Sequence, residues 1–267
     1  TVGQKLDAAV ASVGPKLQIE RSYNSLDPRT GLFGTGWSTL LDLRVSWPGG
    51  AAGPTLYRSD GRSEFYGANT DGTLASPQGI GSTLSLSSGV FTLTDPDGTV
   101  SQFDSNGRLI KVVDELGHEL RIDWSVANQI TMSSFASASA STAMRNLTLT
   151  TTTVAASTVV TSVKTDSVTG QGQSTWTYQY DTSARLTGVV DPMNTATPTV
   201  KTVYEYTDPV GGRLSKWKNP GNVSYVGNTE IELSYQPDGK VSWRKDGTGF
   251  PVVHTVTPIL HEDANDR

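Results

Sequence analysis

The feature that most constrains this chain is a short unit written four times. Phe103-Asp104-Ser105-Asn106-Gly107-Arg108-Leu109 runs on to Val112 and Asp114, and Tyr180-Asp181-Thr182-Ser183-Ala184-Arg185-Leu186 runs on to Val189 and Asp191. Tyr206 leads, after a short insertion, to Gly212-Arg213-Leu214 and then to Trp217 and Asn219. Tyr235-Gln236-Pro237-Asp238-Gly239-Lys240-Val241 leads to Asp246. The pattern reads as a hairpin. The ring ends an inward-facing strand, and Asp or Asn with Gly makes the turn, since these residues tolerate positive φ. Arg or Lys opens the return strand on its wet side, Leu or Val re-enters the core, and the second acid begins the next turn. A lone hairpin cannot bury its apolar face, so such units must stack on one another.

The rest of the chain has the same period. Leu120, Ile122 and Trp124 alternate with Glu119, Arg121 and Asp123. Trp176, Tyr178 and Tyr180 share a face, as do Tyr204 and Tyr206, and Ile231, Leu233 and Tyr235. One buried face and one wet face predict antiparallel strands. Asp60-Gly61, Asp71-Gly72, Asp97-Gly98, Asn106-Gly107, Asp238-Gly239 and Asp246-Gly247 suit tight hairpin turns whose twist matches the strands. The expected fold is all-β, a meander of antiparallel hairpins. Helical spacing occurs at Leu6, Ala9, Val10 and Val13, enough for one short turn before Gly14-Pro15. Residues 133–143, small and polar, read as a flexible loop, and strand chemistry resumes from Leu147 to Val163. This divides the chain into a lead-in (1–15), an opening segment with the first unit (16–132), an inserted region (133–175), three further units (176–250) and a tail (251–267).

Composition removes several functions. With no cysteine, disulfides, thiol nucleophiles and zinc knuckles are excluded. Net charge is −5 and the basic residues are scattered, which argues against a nucleic-acid partner. No apolar run is long enough to span a membrane. Thr1-Val2-Gly3-Gln4 carries no leader pattern, and the chain reads as a segment of something longer. His118, His254 and His261 are the only histidines. The first two read as strand residues, and His261-Glu262-Asp263 reads as a solvated tail. Asp95-Pro96-Asp97-Gly98 lacks the later ligands of a calcium loop and reads as a turn. Gly31-Leu32-Phe33-Gly34-Thr35-Gly36 lacks the Lys and helix of a phosphate cradle, so its glycines let the backbone turn before Trp37. The sequons Asn146-Leu147-Thr148 and Asn222-Val223-Ser224 carry no further implication. No catalytic, cofactor or metal residues stand out, and the expectation is a chain that is not an enzyme. Its aromatic residues read as core, with an exposed shelf for surface glycans as the alternative.

The repeat resembles the YD repeat of the RHS family, Tyr-Asp-x-x-Gly-Arg-Leu with a later Asp. The upstream sequence agrees. Arg21-Ser22-Tyr23-Asn24-Ser25, followed by Gly31-Leu32-Phe33-Gly34-Thr35-Gly36-Trp37, resembles the segment that opens many RHS repeat regions. Asp60-Gly61-Arg62-Ser63-Glu64-Phe65 and Leu93-Thr94-Asp95-Pro96-Asp97-Gly98-Thr99 also fit. Ala184 in place of the turn glycine, Gln236 in place of the first acid, and the longer third unit depart from the pattern. The resemblance implies a sheet that curves or spirals into an RHS-type shell of a bacterial protein outside the cell or on its surface. It implies a scaffold that encloses or presents a toxin or partner polypeptide and pairs edge to edge with other β-repeats.

Overall fold

The first residues pair as strands. The computed structural model describes residues 3–49, 52–167, 172–194, 196–197, 201–209, 211–220, 231–246 and 252–255, with backbone alone at 246 and 252–255. Strand β1 (Gly3–Val10) runs antiparallel to β2 (Leu17–Tyr23). The helical turn expected here is therefore wrong. Leu6, which the helical spacing places inside, is exposed, whereas Ala8 and Val10 are buried against Leu17 and Ile19. Pairing along a partner strand outweighs a few residues of helical spacing, because so short a helix is marginal alone.

A small ladder of β3 (Thr30–Gly31) and β4 (Gly34–Thr35) follows, and β5 (Trp37–Ser38) joins the far side of β2. A 3-10 turn, Leu40–Asp42, leads into β6 (Arg44–Ser46), β7 (Thr55–Tyr57) and β8 (Ser63–Phe65), which form a three-stranded sheet. Next comes the ladder of β9 (Gly67–Ala68) and β10 (Leu74–Ala75).

The chain then makes one long meander: β11 (Thr83–Ser87), β12 (Val90–Thr94), β13 (Val100–Phe103), β14 (Leu109–Val113), β15 (Glu119–Asp123), β16 (Gln129–Phe135), β17 (Arg145–Val154), β18 (Ser157–Thr165), β19 (Thr175–Tyr180) and β20 (Leu186–Val190). Each strand is hydrogen-bonded antiparallel to the next, without a crossover. One face carries Leu93, Phe103, Leu109, Leu120, Met132, Leu147, Val160 and Leu186, all buried. Strands β1, β2 and β3 pack on it, against β16, β17 and β18. These elements belong to the first of two compact units, Thr1–Lys201. The second, Thr202–Arg267, continues the pattern with β21 (Thr202–Glu205), β22 (Lys216–Lys218), β23 (Ile231–Tyr235), β24 (Val241–Asp246) and β25 (Val252–Thr255), again antiparallel in chain order. In β23, Ile231, Leu233 and Tyr235 are buried and alternate with half-exposed residues. The fold is all-β, and no helix among the described residues is long and apolar enough to cross a membrane.

The repeated turn is one residue longer than a two-residue hairpin. At Asp104–Arg108 the Asp104 amide donates to the Arg108 carbonyl and the Gly107 amide donates to the Asp104 carbonyl. The same pair of bonds closes Asp95–Thr99, Asp114–His118, Asp181–Arg185 and Gln236–Lys240, and also Arg58–Arg62 and Asn69–Thr73. The fourth residue has positive φ in every case. The ladder register slips at Gln102/Phe103, Gln179/Tyr180 and Ser234/Tyr235. This is a type I turn closed by a left-handed residue and its bulge. Gly247 lies outside the described residues.

Two further expectations need correction. Glu119, read as wet, is buried, and its carboxylate accepts from Arg121 Nε at 2.6 Å. Residues 133–143 are not simply a loop. Ser133–Phe135 complete β16, Phe135 lies under the Arg121 guanidinium at 3.9 Å, and Arg121 donates to the Ala138 and Ala140 carbonyls beyond. A run of small residues left no side-chain signal for backbone that a distant guanidinium holds.

Candidate functional site

The repeat turns of the first unit are where its opening segment is fastened. At the first turn, the Val45 amide donates to the Gly107 carbonyl at 2.9 Å, and Arg44 bridges antiparallel to Arg108. A Cβ on Gly107 would lie 1.8 Å from the Val45 carbonyl oxygen, so only glycine lets the two backbones meet. At the second turn, the Thr35 amide donates to the Ala184 carbonyl at 3.3 Å. Here the glycine is on the other side of the seam: a Cβ on Gly34 would lie 2.7 Å from the same carbonyl. The Val160 amide donates to the Leu32 carbonyl at 2.7 Å, and Tyr180 donates its hydroxyl to the Val160 carbonyl at 2.7 Å.

Between these seams lies a charged centre in an apolar surround. Arg21 falls on the inward face of β2 with Leu17, Ile19 and Tyr23, and is fully buried. An inward cation requires an inward acid. The register of β1 slips between Leu6 and Ala8, and this bulge turns Asp7 inward. Arg21 then grips Asp7 with two bonds, Nε to Oδ2 at 2.5 Å and Nη2 to Oδ1 at 2.9 Å. Tyr178, on β19, donates its hydroxyl to the same carboxylate at 3.0 Å. The Arg21 guanidinium lies 4.7 Å from the Trp37 ring centre. Trp37 meets Tyr23 edge-on at 5.2 Å, and Phe33 meets Tyr178 edge-on at 4.9 Å. Burial, with the Asp7 charge second, pushes the Tyr178 phenol well above its ordinary range, and burial also raises Tyr180. Both phenols stay protonated at neutral pH, and through Tyr178 and Asp7 the centre joins β1, β2 and β19.

The predicted residues fall as follows. Phe103, Leu109, Leu186, Leu214, Tyr235 and Trp37 are buried, and Tyr180 is half-buried. Tyr206 lies just past β21 and is half-exposed; the buried ring of that unit is Tyr204, packed against Trp217 at 5.6 Å. Arg108 and Arg185 each return to the first acid of their own turn, Asp104 and Asp181, with Nε–Oδ2 distances of 2.8 and 2.7 Å. The longer third unit keeps this pairing between Arg213 and Asp208 at 3.0 Å, with Gly212 at positive φ. Gly239 closes its turn, and Gly36 at φ 76 packs against Tyr23. Asp114 opens a further turn in which His118 takes the arginine's place, its Nδ1 at 2.8 Å from Asp114. Asp191 accepts from the Met193 amide, and Asp246 pairs with Ile231. At the Asp95 turn, the Asp97 carboxylate accepts from the Thr99 amide while Asp95 accepts from Arg58. The sequon at Asn222, His261 and most of the tail lie outside the described residues; of His254 only the strand backbone is described.

Sequence reading missed Asp7, Val45 and Val160. The signal for Asp7 was present. Arg21 stands on the apolar face of a strict alternation, which demands a buried partner. Val45 and Val160 contribute only backbone, and no side chain announces them.

Comparison with known proteins places these observations in context. Residues 2–66, the segment fastened to the turns, match a family described as a domain of unknown function, DUF6531. The chain is 30% identical over 259 residues to the tRNA nuclease WapA of Bacillus subtilis (strain 168). It is equally similar to the tRNA3(Ser)-specific nuclease WapA of Bacillus spizizenii. Each match takes in 92% of this chain, which spans 11% of the relative's length. The crystal structure of TcdB2-TccC3-Cdc42 overlaps 73% of this chain and 12% of that one, at 13% identity and a TM-score of 0.26.

Proposed function

We propose that this chain is a wall segment of an RHS/YD-repeat protein, a non-catalytic scaffold that works outside the cell or on its surface. In this reading the meander is the wall, and the opening segment is a strap folded across one face of it. The wall encloses or presents another stretch of polypeptide and continues, strand edge to strand edge, into further β-repeats. One observation carries the reading: the opening segment is docked by backbone hydrogen bonds onto the turns of the repeats themselves, at Gly107 and at Ala184. A repeat whose turns serve as docking points is built to be covered.

The tRNA nuclease activity in the relatives' names belongs, in this reading, to parts of the longer polypeptide that this segment does not match. The acids of its repeat turns are engaged in turn closure. Asp104, Asp114 and Asp181 each accept from two backbone amides and from the side chain of the fifth turn residue.

The test is protease protection in the longer polypeptide that carries this segment. Gly107→Val and Tyr178→Phe, which disturb the docking at separate places, are compared with the unaltered protein. The reading expects enclosed polypeptide to become cleavable in both variants while the meander itself stays resistant. Equal cleavage in the variants and the parent would refute enclosure. Cleavage of tRNA by the purified 267-residue chain would refute the non-catalytic assignment.

A further inference from the structure

A cavity of about 400 Å³ lies beside the first docking seam. It is of a size for a small ligand, where sites run to roughly 300–1,000 Å³. Its lining mixes apolar and polar groups, and several of the polar ones are held in place. Trp124 is held by its indole N–H, which donates to the Leu109 carbonyl at 2.8 Å. Arg108 is held by Asp104 and lies over the Trp124 ring at 5.3 Å. Asp42 accepts from the amides of Leu32 and Thr39 at 3.0 and 2.9 Å.

Two features of this cavity are unexplained by folding. Arg44 stands directly opposite Arg108 across the antiparallel bridge, and like charges so placed repel. Arg108 has Asp104, but among the described residues no carboxylate pairs with Arg44, which is exposed at the cavity. An anion between the two guanidiniums would remove the repulsion and make charge-assisted bonds to both. On the opposite wall, the β17–β18 hairpin turns through Ala155 at φ 49 and Ala156 at φ 64. This two-residue turn requires positive φ twice, where Asn-Gly would be at ease and alanine is strained. Strain retained in a fold points to a local function. The turn delivers Ser157, half-exposed, and Thr158, exposed, to the cavity, where their hydroxyls are accessible to a ligand.

We propose that this cavity binds a hexuronate, a hydroxylated ring bearing one carboxylate. The carboxylate bridges Arg44 and Arg108, ring hydroxyls meet Ser157 and Thr158, and the apolar ring surface lies against Trp124 and Leu41. The proposal stands on the cavity alone and does not depend on the wall reading.

The experiment is an NMR titration of the full ¹⁵N-labelled chain with glucuronate and galacturonate, with glucose and acetate as controls. Saturable shifts are expected at the Trp124 indole N–H and the Ser157 and Thr158 amides, at millimolar uronate. Glucose lacks the charge and acetate lacks the ring, so each should bind at least about tenfold more weakly, a factor worth about one charge-assisted bond. Arg44→Ala should weaken uronate binding by about tenfold or more, Arg44→Lys by less, with the remaining spectrum unchanged. Ser157→Ala gives a second reading should Arg44→Ala disturb the fold. No saturable shift with either uronate, an equal response to acetate or glucose, or native binding by both Arg44→Ala and Ser157→Ala would overturn the assignment.

Discussion

Gly107 and Gly117 occupy the same position in two turns of the same kind, and substituting each by alanine separates what the turn costs from what docking contributes. Both have positive φ, 73 and 83. A Cβ on Gly117 meets nothing within 4 Å, whereas one on Gly107 lies 1.8 Å from the Val45 carbonyl oxygen. Gly117→Ala therefore reports the left-handed backbone alone. That is about 1–2 kcal/mol against alanine, less about 0.5–1 kcal/mol for the entropy that alanine removes from the unfolded chain. The expected loss is up to about 1.5 kcal/mol. Gly107→Ala carries the same term and also forces Val45 away. Moving it breaks the 2.9 Å bond from the Val45 amide to the Gly107 carbonyl, worth about 1 kcal/mol. It also loosens Val45, which is buried, at roughly 1–2 kcal/mol. Gly107→Ala should thus cost about 2–3 kcal/mol more than Gly117→Ala. Urea unfolding supplies the magnitudes. Native-state hydrogen exchange supplies the location, with protection of the Val45 amide lost in the first variant and kept in the second. Equal destabilisation to within about 0.5 kcal/mol, with Val45 still protected, would refute the claim that the opening segment is fastened at this turn.

Two further predictions concern the same unit. Burial and the neighbouring Glu64 push the Tyr66 phenol up to about 12, and burial also raises Tyr178 and Tyr180. A phenol whose pKa is raised on folding contributes stability that is whole below its unfolded value of about 10 and is lost as pH climbs through the folded value. Stability should therefore fall from about pH 10 upward, and a spectrophotometric titration should show these tyrosines ionising only as the fold opens; free titration near pH 10 in the folded chain would contradict their burial. Replacing Ala155-Ala156 by Asn-Gly should stabilise the chain by about 1–3 kcal/mol, the relief of two left-handed alanines less the entropy of one glycine. Thermal unfolding should show a rise of roughly 2–4 °C per kcal/mol, and a fall would mean that the turn is unstrained.

Strand pattern and turn chemistry are local, and both were legible. The alternation of Ile231, Leu233 and Tyr235 reappears as buried and half-exposed positions, and the meander order follows from short turns that leave a strand little choice but its neighbour. What was illegible is non-local or borne by backbone. The helical spacing of Leu6 and Ala9 was misleading because β2 had not been credited as their partner. Glu119 looked wet because Lys111, which covers it together with Arg121, meets it only when β14 and β15 are placed side by side. The docking seams were invisible because Val45, Leu32 and Val160 meet the repeats through amides and carbonyls, and every residue has those.

Ala184 shows how far turn chemistry can be read once the seams are known. Glycine belongs at its position, and alanine there, at φ 57, bears a cost of about 1–2 kcal/mol. At the equivalent Gly107 the opening segment comes so close that no Cβ fits, and glycine is obligatory. At Ala184 the close approach falls on the carbonyl, and the glycine that makes it possible is Gly34, on the opening segment. The turn is thereby free to keep a Cβ, and that methyl is buried, at 1% exposure, returning about 0.8 kcal/mol of the backbone cost. The alanine at this turn is thus matched across the seam by Gly34, just as Gly107 is matched by Val45, and the choice between glycine and alanine at a repeat turn follows from which side of the seam makes the close approach.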